Sequence, residues 1–427
     1  MLIISYYWPP SGGPGVQRWL KFVKYLPEFN IEPILFIPKN ANYPLLDKSL
    51  SDDVNKDLKV IQFPITEISG FLPKFKFLNS VRSGNISKPH NQSLLQKLIF
   101  FIRGNLFIPD MKIFWKSSSV NFLSDYLPKN NIDTIITTGP PHSVHLIGLE
   151  LKRKLNINWI SDFRDPWVKL NYLNRFHLLP FSRKSHISLR NKVLINSNAV
   201  IVTSERLKDL FSNITSNIYK ITNGFDYIIK ENNLDNKFSI SHIGSLYPER
   251  NPKFLWDSLE ELFEGSFKKD LQINFIGNTS EKIKKELIRR KFHNHVRFYD
   301  YVDYNRALEL MCSSQALLMI EVNDEESSYA IPGKLFDYLN SKRPIISIGP
   351  NISEVSEILN NTNSGKFFNY HDKRNLKLYI NQLYKSYKNG TNIISDKSKI
   401  DMFKRINLTK KLSEVIVTVD KKVKPCK

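Results

Sequence analysis

The sequence is poor in cysteine, and the two cysteines that it has define no site. Cys312 and Cys426 are the only ones among 427 residues, and their spacing matches no metal site. Two such thiols build no disulfide framework, so we expect a protein of a reducing cytoplasm. The N-terminal residues MLIISYYWPP also lack the basic region and the long apolar core of a signal peptide.

Long apolar runs are missing as well. The longest stretches, such as Leu94–Ile102 with Lys97 inside it, fall far short of the roughly 20 residues that a membrane-spanning helix needs. We therefore expect a protein that is not integral to a membrane. The sequence also lacks an Asp-x-Asp metal element in a suitable loop, so it predicts no metal site and no cofactor.

Acidic side chains are few relative to basic ones. They number 41, against 62 lysines and arginines, which leaves a formal net charge of +21. Such an excess attracts polyanions, and the candidates are nucleic acid, an anionic membrane face and phosphorylated substrates. The alternative is an ordinary solvated basic surface. No nucleic-acid recognition motif accompanies the charge, so we expect no nucleic-acid partner.

Residues 68–109 contain neither Asp nor Glu, whereas cations and phenylalanines are interleaved in them. The cations are Lys74, Lys76, Arg82, Lys88, Lys97 and Arg103, and the phenylalanines are Phe71, Phe75, Phe77, Phe100 and Phe101. Rings that enter a headgroup layer and charges that meet anionic lipid predict a cytoplasmic protein, peripheral to the inner face of the cell membrane. The alternative is that the phenylalanines fill the domain core.

The length of the chain suits two domains of roughly 200 residues each. Apolar runs followed by polar turns and amphipathic helices recur along it, which is the pattern of doubly wound parallel sheets. Strands are predicted at 2–6, 31–37, 132–138, 158–162 and 199–203, and then again at 238–243, 271–276, 296–298, 316–320 and 344–348. We predict two Rossmann-like α/β domains, 1–228 and 229–395, followed by a helix and basic tail at 396–427 that can pack back on the first domain.

A turn rich in proline and glycine follows the first predicted strand. In open parallel sheets, ligands bind beyond the carboxyl ends of the strands, where glycine lets the backbone approach them. Gly12, Gly13 and Gly15 offer this approach, and the helix predicted at 17–26 presents N–H groups behind them. A purely structural turn is the alternative.

The sequence SDFRDPW ends the fourth predicted strand. It places Asp162 and Asp165 around Arg164 at a point where a strand delivers side chains to a cleft. The alternative is a self-satisfied salt bridge that caps the strand. His142, after the third predicted strand, is a candidate site imidazole, and His145 is the second choice.

In the second half of the chain, a strand ends at Gly244 and a tight turn through Ser245 follows it. Arg250 and Lys253 stand near the start of the next predicted helix. A cation pair at this position suits a diphosphate, to which arginine offers a forked contact. The alternative is a solvated basic loop.

The last cluster of candidate site residues lies at the start of the helix predicted at 333–339. N–H groups at Pro332-Gly333 and the side chain of Lys334 form a candidate anion site. Asp337 falls one turn later, on a plausible face for the hydroxyls of a ribose. A helix cap with a Lys334–Asp337 pair is the alternative.

The order of these motifs resembles that of family 4 of the retaining glycosyltransferases, which have the GT-B fold, and especially that of bacterial surface-polysaccharide enzymes. The motifs are WPPSGGPGVQR, IPDMKIFW, TTGPPHS, SDFRDPW, ITNGFD, GSLYPERNP and IPGKLFDYLNSKRPII, and they span nearly the whole chain. The resemblance implies two Rossmann-like domains that face each other across a cleft. It also implies metal-independent transfer of a hexose from a nucleoside diphosphate sugar to a glycan or lipid-linked acceptor, in lipopolysaccharide or capsule synthesis.

The resemblance also implies roles for single residues. Catalytic roles fall on His142 and Asp162, and acceptor-side roles on Gly12, Gly13 and Arg164. The implied donor-binding residues are Gly244, Ser245, Arg250, Lys253, Pro332, Gly333, Lys334 and Asp337. The turn Asn223–Asp226 matches the interdomain turn of the family.

Two positions depart from the family pattern. Tyr329 stands where the family has the first of two glutamates, and Glu325 or Glu326 is a candidate substitute. Ser245 stands where an arginine usually follows the glycine of the phosphate turn. These departures keep two alternatives open: a nucleotide-sugar epimerase of the same fold, and a degenerate non-catalytic subunit of a transferase.

Overall fold

A computed structural model gives the coordinates of the chain and describes residues 1–65, 94–168, 173, 176–226, 233–391 and 396–423. The chain divides into two compact units: Met1–Asn223 together with the chain from Arg405 onward, and Gly224–Lys404. The divisions therefore lie at Asn223 and Arg405, and not at the predicted residues 228 and 395. The second differs because Ile400 and Phe403 pack in the core of the second unit.

Seven parallel strands form the sheet of the first unit. They are β1 (Leu2–Ile4), β2 (Ile34–Pro38), β3 (Lys59–Phe63), β4 (Thr134–Gly139), β5 (Asn158–Phe163), β6 (Ala199–Val202) and β7 (Ile218–Lys220). Their order across the sheet is β3-β2-β1-β4-β5-β6-β7. Because all neighbours are parallel, the turns that leave the carboxyl ends of β1, β4 and β5 lie at one edge of the sheet.

The helices of the first unit connect these strands. They are α1 (Pro14–Tyr25), α2 (Leu94–Leu106), α3 (Trp115–Lys129), α4 (Ser143–Leu155), α5 (Pro180–Asn196) and α6 (Glu205–Ser212). Helix α1 begins three residues before the predicted Gln17. Proline fits the first helical position because the N–H that it lacks would have no partner there.

Six parallel strands form the sheet of the second unit. They are β8 (Phe238–Ile243), β9 (Leu271–Ile276), β10 (Val296–Tyr299), β11 (Ala316–Ile320), β12 (Ile345–Gly349) and β13 (Gly365–Asn369). Their order is β10-β9-β8-β11-β12-β13. The carboxyl ends of β8 and β11 are neighbours at one edge of this sheet.

The helices of the second unit alternate with its strands. They are α7 (Lys253–Leu262), α8 (Gly265–Asp270), α9 (Glu281–Ile288), α10 (Tyr304–Ser313), α11 (Lys334–Asn340), α12 (Glu354–Thr362), α13 (Lys373–Lys388) and α14 (Lys397–Asp401). Their apolar residues cover the sheet in two core clusters, one around Trp256 and one around Leu335. The prediction of two doubly wound α/β domains is confirmed.

The last helix of the chain, α15 (Arg405–Val423), belongs to the first unit. Leu408, Leu412 and Ile416 of this helix pack in the core cluster that contains Trp19 of α1. Burial of these side chains at helical spacing holds the C-terminal segment on the first sheet.

None of the described helices combines the length and the apolar character that crossing a bilayer requires.

Candidate active site

The proline- and glycine-rich turn connects β1 to α1 at the carboxyl edge of the first sheet. Gly12 N–H donates to the Leu45 carbonyl over 2.9 Å, and Asp47 N–H donates to the Pro10 carbonyl over 2.8 Å. Gly13 is the N-cap of α1 and has open space on its side-chain side. The structure thus places the predicted acceptor-side glycines where ligands of such sheets bind.

Asp162, predicted to be catalytic, is fully buried at the end of β5. One carboxylate oxygen accepts a hydrogen bond from Arg18 Nη2 over 2.9 Å, and the other accepts from Trp19 Nε1 and Thr138 Oγ1 over 2.7 and 2.9 Å. The structure thus places Asp162 in a buried salt bridge with Arg18. Its catalytic role stays a prediction.

Arg18 also contacts Thr222 and Asn223, where the first unit ends. Its Nη1 donates to the carbonyl of Thr222 over 2.8 Å and lies 3.4 Å from Asn223 Oδ1. One buried guanidinium therefore holds the motifs WPPSGGPGVQRW, SDFRDPW and ITNGFD together. The sequence analysis missed Arg18, although its place in a motif that follows a buried strand was a usable signal.

Arg164, predicted on the acceptor side, supports the turn that follows β4. Its guanidinium donates to Thr138 Oγ1 over 2.9 Å and to the Pro140 carbonyl over 2.8 Å. Burial lowers the pKa of Arg164, and the charge of Arg18 lowers it further, against the effect of Asp162. The contacts explain how Arg164 positions the GPPHS turn, and a direct contact with an acceptor stays a prediction.

His142 lies at the N-cap of α4 and pairs with Asp165. The two are joined by a 2.8 Å hydrogen bond between Nε2 and Oδ1, and the imidazole stacks on Trp167 with ring centroids 4.4 Å apart. Burial acts to raise the pKa of Asp165, but contact with His142, the Trp167 N–H and Arg164 together hold it below the ordinary value. Because an ionised carboxylate only accepts, His142 carries a proton on Nε2, and in the neutral form of the imidazole Nδ1 is then an acceptor.

His145, the second choice for the site imidazole, is buried beside His142. Its Nδ1 lies 2.9 Å from Thr137 Oγ1, and its ring stacks on Phe163 with centroids 4.5 Å apart. Burial first, and then the charges of His142 and Arg164, lower the pKa of His145 well below its ordinary value. His145 is therefore a neutral packing residue.

Gly139 allows the two imidazoles to approach the end of β4. A methyl group at this position would lie 2.5 Å from His145 Nε2 and 3.1 Å from His142 Nδ1. Within the described part of the chain, neither of these buried nitrogens has a hydrogen-bond partner. The unpartnered Nδ1 makes His142 the residue of this unit that is best suited to accept a proton or a hydrogen bond.

In the second unit, Lys334 and Arg250 lie at the carboxyl edge of the sheet. Lys334 Nζ donates to the Ile243 carbonyl at the end of β8 over 3.2 Å. Gly244 follows with a φ of +115°, which favours glycine and turns the chain towards Arg250. Burial first, and then the charge of Arg250, together lower the pKa of Lys334 to about 7, against the effect of Glu321. Arg250 and Lys334 are thus near enough for their charges to interact, whereas Lys253, the predicted partner of Arg250, is exposed.

Glu321, which the sequence analysis did not single out, faces these cations from the end of β11. Ser353 Oγ donates to its Oε2 over 2.9 Å, and the Tyr370 hydroxyl donates to its backbone carbonyl over 2.8 Å. Burial raises the pKa of Glu321 to about 7, against the Ser353 hydrogen bond and the charges of Arg250 and Lys334. A carboxylate directly after a wholly apolar strand was the signal that could have revealed it.

Helix α11 carries the remaining predicted donor residues. Pro332 and Gly333 are half-buried before its first residue, and Gly333 is its N-cap. The helix spans seven residues, so its dipole is small beside the full charges of Lys334 and Arg250. Asp337 is half-buried one turn later, where its Oδ1 accepts from the Tyr304 hydroxyl over 2.8 Å.

The two residues that depart from the family pattern, Tyr329 and Ser245, lie in different surroundings. Tyr329 is buried, whereas Glu325 is exposed at the N-cap of a short turn. Ser245 lies in the turn after Gly244, and Lys253, the first residue of α7, is exposed.

Among the described residues, no group of three His, Cys, Asp or Glu side chains could hold a metal ion.

No protein-family model and no curated protein matches the sequence. Solved structures match its fold over nearly the whole length. A glycosyltransferase from Rickettsia africae ESF-5 has a TM-score of 0.64 at 14% identity, with 98% of both chains covered. Anabaena Alr3699/HepE in complex with UDP-glucose has a TM-score of 0.61 at 12% identity, with 98% of this chain and 99% of that chain covered.

A third similar structure is the lipopolysaccharide outer core galactosyltransferase WaaB. It has a TM-score of 0.60 at 13% identity, with 98% of both chains covered. The chain has the GT-B fold. At these identities the likeness shows the GT-B fold alone, so the residues at the two sheet edges carry the case for function.

Proposed function

We propose that this protein is a retaining glycosyltransferase of family 4 that moves a hexose from a nucleoside diphosphate donor to a glycan or lipid-linked acceptor. Cell-surface polysaccharide synthesis, of lipopolysaccharide or capsule, is the process that such a reaction serves. The observation that carries the proposal is the pair Arg250 and Lys334 at the carboxyl edge of the second sheet, in a chain with the GT-B fold.

The cation pair suits the leaving group of this reaction. Cleavage of the bond between the sugar and the diphosphate leaves negative charge on the phosphate oxygens, which fixed cations stabilise in a poorly hydrated site. Arg250 offers a forked contact, and Lys334 acts as a point charge next to the Gly244 turn. These two residues supply the charge that a divalent metal would otherwise supply, so we propose that the reaction needs no metal or other cofactor.

The nucleotide is proposed to be held by the same unit. Asp337, whose Oδ1 accepts from the Tyr304 hydroxyl, is proposed to bind a ribose hydroxyl. Anabaena Alr3699/HepE is described in complex with UDP-glucose, and WaaB is a galactosyltransferase. UDP-glucose and UDP-galactose are therefore the first donors to test.

His142 is proposed to act in the first unit, on the reacting sugar or the acceptor. Its pairing with Asp165 fixes the Nε2 proton, which leaves Nδ1 as an acceptor. Arg18, Asp162 and Arg164 hold the turns around it. Gly12 and Gly13 are proposed to give the acceptor access to the backbone.

We also propose that the enzyme works on the inner face of the cell membrane, next to a lipid-linked acceptor. The charge pattern of residues 68–109 motivates this location. Residues 68–93 of that segment, with Lys74, Lys76, Arg82 and Lys88, lie outside the described residues.

A donor screen tests the proposed activity. Release of nucleoside diphosphate is measured for a panel of nucleotide sugars, with and without extracted lipid-linked oligosaccharides, and in the presence of EDTA. We expect one donor to be consumed only with the extract, and EDTA to leave the rate unchanged. Conversion of the donor to an epimer without the extract would instead identify the epimerase, and an absolute need for Mn²⁺ or Mg²⁺ would contradict the metal-free mechanism.

A further inference from the structure

Helix α2 presents leucines to solvent on one face. Leu94, Leu95, Leu98 and Leu106 are exposed by 85, 66, 54 and 74%. At 100° per residue, these positions fall within about a third of the helix circumference, and Ile102 lies among them. A contiguous apolar face of this kind marks an interaction surface and is not the scatter of single residues that soluble proteins ordinarily expose.

Helix α5 presents a second exposed face that mixes apolar and basic residues. Phe181, Lys184 and Ile195 lie on one side of this helix, at spacings of three and eleven residues, and Phe181 is 77% exposed. Leu179, the N-cap of α5, is 48% exposed. The apolar side chains therefore begin before the helix and continue to its last turn.

The end of α2 packs beside the start of α5. Asn105 joins them, because its Oδ1 accepts from the Leu179 N–H over 2.8 Å and its Nδ2 lies 3.4 Å from the His177 carbonyl. Phe100 of α2 is buried and contacts Phe176, with ring centroids 6.0 Å apart. Phe100 was predicted to meet the membrane, and this packing corrects the prediction, because the neighbouring leucines are the exposed residues.

Charge on this part of the molecule has one sign. Residues 94–109 and 166–204, which include both helices, contain no Asp or Glu. The exposed cations of the two helices are Lys97, Arg183, Lys184 and Lys192. Apolar side chains flanked by cations alone are the pattern of a helix that lies in the interface of an anionic membrane.

We propose that these two helices form the surface by which the protein lies on an anionic membrane. This α2–α5 face consists of Leu94, Leu95, Leu98, Ile102, Leu106, Leu179, Phe181 and Ile195 with the cations Lys97, Lys184 and Lys192. The apolar side chains enter the boundary between headgroups and acyl chains, and the cations meet the lipid phosphates. The inference gives a surface to the membrane location proposed above, and its test does not depend on glycosyl transfer.

The charge favours a membrane over a second copy of this chain. In a twofold contact the same surface meets itself, so three cations of one copy would oppose the same three of the other. The two helices offer no acidic side chain to neutralise them. An anionic bilayer provides that neutralisation at every cation.

Sedimentation with vesicles tests the proposal on the full chain without any nucleotide. The probes are vesicles of phosphatidylcholine alone and of phosphatidylcholine mixed with phosphatidylglycerol, at low and high salt. Two variants probe the face: Leu98→Ser with Phe181→Ser, and Lys184→Gln with Lys192→Gln. The matched controls on the second unit are Ile288→Ser with Leu378→Ser, of similar exposure, and Lys282→Gln with Lys385→Gln, which lose the same net charge.

We expect wild type to bind the anionic vesicles and to be released as salt rises. The cation variant should bind about 10- to 30-fold more weakly, since each surface cation contributes about fivefold. The apolar variant should lose at least about tenfold, because each buried leucine or phenylalanine contributes that much on transfer from water. Both controls should bind like wild type.

Three outcomes would overturn the proposal. They are equal loss in the face variants and their controls, no binding of wild type to anionic vesicles at low salt, and a dimer of wild type that the apolar variant converts to a monomer. Circular dichroism and thermal unfolding show whether each variant is folded. Because no donor is present, failure here leaves the proposed transferase activity untouched.

Discussion

Arg18 and Asp162 form an ion pair with a 2.9 Å contact, and neither side chain has any exposed surface. The pair joins α1 to the end of β5, and Trp19 and Thr138 also donate hydrogen bonds to the carboxylate. A charge taken out of water needs such partners. The pair therefore fixes the end of β5 relative to α1.

Removal of one partner should destabilise the protein strongly. We expect Asp162→Asn to lower the free energy of unfolding by about 3–5 kcal/mol, because Arg18 is left buried without a counter-charge. Urea unfolding followed by tryptophan fluorescence measures this. The control is Glu150→Gln, which breaks the 2.8 Å pair with Arg153, a side chain that is 75% exposed. That change should cost less than about 1 kcal/mol, and similar shifts in the two variants would refute the assignment.

The central strands of both sheets were predictable from sequence, and three of the four edge strands were not. β4, β5, β11 and β12 are buried at every position. β11 and β12 are almost continuously apolar, whereas β4 and β5 combine short apolar stretches with polar residues. β3, β7 and β13 were missed. They lie at or near the sheet edges, and several of their side chains are exposed or half-buried, so no apolar run distinguishes them from loops.

The candidate site was predictable in part. Arg250 was predicted from the turn that follows β8, and Lys334 from the start of a predicted helix. In the structure the charge of Arg250 lowers the pKa of Lys334. Sequence could not show that Asp162 pairs with Arg18, which lies 144 residues away. The proximity of Glu321 to these cations was not predictable either, because it depends on β8 and β11 being neighbours in the sheet.

Nucleotide binding should weaken as the pH rises through 7. The pKa of Lys334 is lowered to about 7, so the lysine carries its charge below that pH and loses it above. The pKa of Glu321 is raised to about 7, so this residue gains a negative charge over the same range. Both changes disfavour a diphosphate. We expect the affinity for UDP, measured by isothermal titration calorimetry, to fall by roughly tenfold or more between pH 6 and pH 8.

Two variants separate the contributions to this pH dependence. Lys334→Arg keeps its charge at every pH, so it should remove most of the decline. Glu321→Gln should raise the affinity at pH 8 and leave it nearly unchanged at pH 6. An affinity that is the same at pH 6 and pH 8 in wild type would show that the diphosphate does not contact Lys334.

The pair His142 and Asp165 should affect turnover and not nucleotide binding. Asp165→Ala removes the carboxylate that holds the His142 proton on Nε2, so the tautomer of His142 is no longer fixed. We expect turnover in the donor assay to fall by roughly 10²-fold or more, with the affinity for UDP unchanged. Imidazole nitrogen NMR reports the tautomer directly. A parallel collapse of UDP affinity would place His142 on the donor side.

Asp337 should distinguish a nucleotide from its diphosphate alone. Asp337→Asn removes a charged acceptor for the ribose hydroxyls, which should weaken UDP binding about 10- to 150-fold and leave pyrophosphate binding unaffected. Calorimetry with the two ligands measures both. Tyr304→Phe is the control, because it removes the hydroxyl that bonds Oδ1 and keeps the carboxylate. Equal losses for UDP and pyrophosphate would contradict a ribose contact.

The central claim is that Arg250 and Lys334 bind the diphosphate of a nucleotide-sugar donor whose sugar is then transferred. The most direct measurement is release of nucleoside diphosphate from the donor panel by wild type and Arg250→Ala, each with extracted lipid-linked oligosaccharides. We predict acceptor-dependent release by wild type, and a rate about 10- to 150-fold lower in Arg250→Ala, because one charge-assisted phosphate contact is lost. The exposed neighbour Lys253→Ala should lose less. Equal rates in wild type and a folded Arg250→Ala, or no release from any donor by wild type, would contradict the claim.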